Sequence, residues 1–99
     1  MTGTLLTNWQ SHLTHERRRS VHTVRAYVAT AERFCAFLET HNGAAVTPAA
    51  LAKLDASDMR AFLAQRRSEG LTNASAAREL SALRAFLRFV GGPDVVLPA

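Results

Sequence analysis

Ser20 to Leu38 reads SVHTVRAYVATAERFCAFL, and this stretch decides the fold. Val24, Tyr27, Val28, Ala31, Phe34, Cys35 and Leu38 recur at three- and four-residue steps, the period of an amphipathic helix and not of a strand. Ser20 supplies an N-cap, and Asn42-Gly43 supplies the stop, so a helix is predicted over 20–41. Upstream, Leu5, Leu6, Trp9 and Leu13 form a second stripe, predicting a helix over about 4–17. It gives out in Arg17-Arg18-Arg19, where cations suit the negative end of the helix dipole.

Downstream the punctuation is equally regular. Thr47-Pro48 predicts a short helical turn over 48–53, with Pro in the first helical position. Asp55 caps a helix over 56–69 that buries Met59, Phe62 and Leu63 and ends at Gly70. Thr72 caps a last helix over 73–90, with Ala76, Leu80, Leu83, Leu87 and Val90 inward and Gly91-Gly92-Pro93 as its end. No strand-like alternation lasts. The expected fold is all-α, a compact bundle of four main helices plus a short helical turn. Phe37 and Phe89 point away from these inferred cores; local packing is expected for Phe37 and an intermolecular role for Phe89.

Ninety-nine residues, 47% of them hydrophobic and 20% charged, leave room for one folded domain and exclude two separate cores. The expected division is a domain over 1–92, followed by 93–99 as the start of a linker. The single cysteine, Cys35, excludes a disulfide framework and fits a reducing, cytoplasmic setting; its place in the stripe makes it a small core residue. No apolar run approaches the ~18 residues that span a bilayer, and no export signal is visible. His12, His15 and Glu16 share a face but lack further ligands at metal-binding spacing, so neither a metal nor another cofactor is expected.

Charge points to a partner. Twelve basic residues against eight acidic give +4, and eleven of the twelve are Arg, whose planar fork suits phosphate and guanine. Opposite its core stripe, the second helix carries Arg25, Ala26, Ala29, Thr30, Arg33 and Ala36, while Glu32 and Glu39 fall to one flank. The last helix repeats the pattern with Ala74, Ser75, Arg78, Ser81, Ala82 and Ala85. Small residues around a basic one let a helix backbone approach a major groove about 12 Å wide. Both helices open in hydroxyl-rich turns, Ser20 to Thr23 and Thr72 to Ser75, that suit a phosphate. Two such helices side by side would form a DNA cradle.

The residues also carry a resemblance. SVHTVRAYVATAERFCAFL resembles the S-x-x-T-x-x-x-Y then F-x-x-F-L pattern of the SAM-like core-binding domain of Xer-type tyrosine recombinases. GLTNASAARELSALRAFLRFV, residues 70–90, resembles that domain's last helix, with S-x-x-R-x-L-S-x-L-R-x-F in register. The resemblance covers about residues 5–91. It implies one arm of a clamp on a duplex DNA half-site, with a C-terminal catalytic domain forming the other arm. It also implies partner recombinase protomers in a tetrameric synapse, metal-free cleavage and rejoining through a phosphotyrosyl bond in the parent, and chromosome dimer resolution.

On this resemblance the DNA-facing positions are His22, Thr23, Arg25 and Ala26, with Ser75, Arg78, Ser81 and Ala82. Arg84 matches a family Arg, although helical geometry puts it nearer the core boundary. Arg25 and Arg78 are selected by the face argument as well. The resemblance places the family's catalytic set in the C-terminal domain, and Tyr27, the one tyrosine, matches a structural position, so this chain is expected to be non-catalytic. Two alternatives stand beside this reading: a phage or integron integrase that shares the domain, and a helical module that docks an acidic protein.

Overall fold

A computed structural model describes residues 2–92, although not the side chain of Thr2, and places all its secondary structure in helices. The expected linker, 93–99, lies outside the described residues. In order the elements are α1 (Thr2–Ser11), a π-helical turn (His12–Glu16), α2 (Val21–Asn42), α3 (Pro48–Ala52), α4 (Ala56–Ser68) and α5 (Asn73–Gly91). They fall into two compact units, Met1–Thr47 and Pro48–Ala99.

In the first unit α1 and the π-helical turn both pack on α2. The predicted first helix is corrected here: it changes hydrogen-bond spacing after Ser11, and the Arg17 amide donates five residues back to the His12 carbonyl at 3.0 Å. Trp9 and Leu13 are buried, as are Val24, Ala31, Phe34, Cys35 and Leu38 on α2. The Trp9 ring stacks against His12 at 5.7 Å and against Tyr27 at 6.5 Å. Ser20 caps α2, its Oγ accepting the Thr23 amide at 3.2 Å, and Gly43 ends it at φ 68°, a left-handed conformation that glycine adopts without a steric penalty.

Cys35 is fully buried, and burial pushes its thiol up from near 9 to about 11, with the charge of Glu39 adding to the effect. The neutral thiol is therefore the form the folded chain favours. This preference stabilises the fold fully below pH 9 and is lost as pH rises towards about 11. Iodoacetamide at pH 8 should label Cys35 in denaturant and leave it unmodified in the folded chain. Rapid native labelling would show that α2 opens at this point.

In the second unit both α3 and α4 pack on α5. Asp55 and Asp58 form a reciprocal capping box at the start of α4: each carboxylate accepts the other's backbone amide at 3.1 Å. Met59 and Phe62 are buried, whereas Leu63 is half-buried. On α5 the buried stripe is Ala76, Glu79, Ala82, Leu83, Phe86 and Leu87, which rotates the predicted inward face. Leu80 and Val90 are only half-buried.

The rotation has an electrostatic partner. Arg66 of α4 grips the Glu79 carboxylate with a two-pronged fork, Nη2 at 2.9 Å and Nε at 3.2 and 3.3 Å, while its Nη1 donates to Glu69 at 2.9 Å. The Glu79 side chain is 9% exposed and that of Arg66 20%, so the pair is largely withdrawn from water. The Glu79 hydrogen bonds raise the Arg66 pKa, outweighing desolvation, which acts in the opposite direction. Nothing in the helical period of α5 alone reveals this pair, because its members are thirteen residues apart.

Phe37 and Phe89 are both half-buried, and Phe37 stacks on His41 one turn away at 5.0 Å. Among the described residues the one exposed large hydrophobic side chain is Val21, so Phe89 does not form the exposed patch considered from sequence.

Candidate nucleic-acid interface

On α2 the predicted face is largely in place. His22, Arg25, Ala26, Arg33 and Ala36 are exposed, and Thr23 and Ala29 are half-buried. Ser20 is exposed, and its hydroxyl, besides capping the helix, donates to Thr23 Oγ1 at 3.0 Å. Thr30 departs from the expectation. It is 3% exposed, and its hydroxyl donates back to the Ala26 carbonyl at 3.0 Å. The same oxygen accepts from Arg33 Nη2 at 3.3 Å, which draws the Arg33 head along the helix surface.

On α5 the Thr72 hydroxyl accepts the Ser75 amide at 3.2 Å, and Ser75 Oγ accepts from Arg78 Nη2 at 3.0 Å. Arg78 is thus exposed and tethered one turn back, beside the positive end of its own helix. Ser81 is exposed, and Ser75 and Arg84 are half-buried. Ala82 is a correction: at 3% exposure it belongs to the core and cannot face DNA. Its methyl falls inside because the buried stripe runs through Glu79 and Phe86, not through Leu80.

That rotation brings out two positions that the leucine pattern does not select, Ala77 and Arg88, both exposed. A wheel centred on Phe86 and Leu83 would have found them. The α2 group belongs to the first unit and the α5 group to the second.

Among the described residues, no three His, Cys, Asp or Glu side chains gather as metal ligands, and no helix is long and apolar enough to cross a membrane. His12 instead bonds Glu16 through Nδ1. Tyr27 is half-buried against Trp9, the position of a packing residue.

The architecture defines an all-helical module with two capped helices that present arginines among small and hydroxyl residues. The chain belongs to the family described as phage integrase, N-terminal SAM-like domain, whose pattern matches residues 6–91. It is similar to proteins named tyrosine recombinase XerC. The identity is 42% over 85 residues with that of Bradyrhizobium diazoefficiens, covering 86% of this chain and 26% of the relative. With that of Methylobacterium nodulans it is 45% over 80 residues, covering 81% and 24%. With that of Rickettsia massiliae it is 34% over 86 residues, covering 87% and 28%. The chain therefore spans about a quarter of the length of these relatives. No solved structure matches significantly.

Proposed function

We propose that this chain binds duplex DNA without cutting it, as the N-terminal clamp arm of a XerC-like, cytoplasmic site-specific recombinase. The observation that carries the reading is the pair of exposed arginines, Arg25 on α2 and Arg78 on α5, each on a capped helix within a chain of this family. Arg25 and Arg78 supply charge for phosphates or forks for guanine edges. The small neighbours Ala26, Ala29, Ala74 and Ser81 allow the helix backbones close to the groove.

In this reading α2 and α5 each contact duplex DNA of a recombination site. A catalytic domain beyond the C-terminal end of this chain supplies the tyrosine nucleophile. Partner protomers complete a tetrameric synapse that resolves chromosome dimers. His22, Thr23 and Ser75 offer further donors beside Ser20 at the helix starts, and Arg84 offers one at the edge of the face.

Alanine substitution tests the assignment. Arg78→Ala should leave helicity intact and cost about 1–3 kcal/mol of binding at one site position if the side chain reads a base; a phosphate contact would weaken all sequences alike. Arg25→Ala should act similarly, with the loss spread more evenly over sequences. Glu39→Ala, on the acidic flank, should be nearly neutral for DNA. Unchanged binding by folded Arg25→Ala and Arg78→Ala chains would reject these roles.

A further inference from the structure

Arg17, Arg18 and Arg19 occupy the turn between the π-helical segment and α2, and all three are exposed. None of them makes an ion pair or side-chain hydrogen bond among the described residues. The acid beside them in sequence, Glu16, is engaged by His12 Nδ1. All three guanidinium groups are thus exposed and lack an acidic partner among the described residues.

Helix capping does not account for them. The terminal carbonyls are already served by the backbone: the Arg17 amide donates to the His12 carbonyl at 3.0 Å and the Arg19 amide to the Leu13 carbonyl at 2.9 Å. Closing the turn this way requires a left-handed residue at position 18, and Arg18 holds φ 51°, the one positive φ outside glycine among the described residues. Glycine would take that conformation without steric penalty, as Gly43 does at the end of α2. The chain instead keeps a long charged side chain there, and strain of this kind concentrates where a side chain is needed for function.

We propose that Arg17-Arg18-Arg19 is a phosphate-backbone anchor, gripping consecutive phosphates of one duplex strand beside the start of α2. The inference rests on the DNA-binding reading and deepens it: the turn sets affinity and salt dependence and adds no sequence preference of its own. The geometry suits the task, because the turn leads directly into the positive end of α2 at Ser20, with Arg25 further along the same unit. Backbone contacts need charge and reach more than a fixed side-chain pose, which three exposed, untethered arginines provide.

The test compares the wild-type chain with a variant carrying Arg17→Gln, Arg18→Gly and Arg19→Gln, and with Arg18→Gly alone. Affinity for a duplex of arbitrary sequence is measured over a series of salt concentrations. Removing one arginine from its phosphate should reduce the log-log slope by about 0.9, so the slope should fall by roughly 2 to 3 in the triple variant and by roughly 1 in Arg18→Gly.

Arg18→Gly should also melt at a higher temperature than wild type, because the strained residue is relieved, and so binding and stability should move in opposite directions. It keeps the experiment decisive if the triple variant folds poorly. An unchanged slope in folded Arg18→Gly and triple variants, with wild-type binding intact, overturns the anchor alone. Absence of wild-type duplex binding at low salt overturns the anchor together with the DNA-binding reading.

Discussion

Glu79→Ala should destabilise the chain by about 3 kcal/mol, a large share of the 5–15 kcal/mol typical of a whole domain. The removed carboxylate is the main partner of Arg66, which would be left largely buried with only the more exposed Glu69 to compensate it. Retention of that second partner places the expected cost near the lower end for breaking a buried pair. Glu79→Gln, which keeps an acceptor for the fork, should cost less. Glu69→Ala should cost under about 1 kcal/mol, because its side chain is 49% exposed and water screens the contact. Urea titrations of the three variants provide the measurement. A loss for Glu79→Ala no greater than that for Glu69→Ala would mean that the Arg66 fork does not hold α4 to α5.

Phe86→Ala should cost about 3–5 kcal/mol, enough to leave a small domain partly unfolded at room temperature. The ring is completely buried, so truncation leaves a cavity in the second unit. Leu80→Ala, at a half-buried position, should cost only about 1 kcal/mol. This ordering distinguishes the observed stripe from the one expected from leucine spacing. If Leu80→Ala proved as damaging as Phe86→Ala, α5 would be rotated towards the sequence-based wheel.

Helix boundaries are legible in the sequence because the signals that set them are local. Ser20, Asp55 and Thr72 each accept an amide three residues on, and α2 stops where Gly43 can turn left-handed. The π-helical turn is not legible, since one additional residue in a turn leaves the apolar pattern through Trp9 and Leu13 intact. The facing of α5 escapes the leucine pattern for a different reason. Leucines at 80, 83 and 87 and phenylalanines at 86 and 89 offer two overlapping stripes, and Arg66 on another helix supplies the partner that accompanies Glu79 inside.

The candidate interface divides along the same line. Arg25 and Arg78 lie on solvent-facing sides that either wheel would expose, whereas Ala82 lies on the boundary that the rotation of α5 moves into the core. Thr30 departs from its expected place because a hydroxyl reads as polar in sequence, yet in a helix it can bond the preceding turn's carbonyl and be buried. The Arg17–Arg19 turn is visible as charge, but its left-handed centre depends on how the π-helical segment closes.

The most direct measurement is the affinity of the chain for duplex DNA as a function of salt. Neutralisation of about four to six phosphates predicts a log-log slope of about −4 to −5, with tight binding at low salt. A chain that does not bind duplex at low salt while remaining helical would contradict the assignment and favour a module that docks an acidic protein.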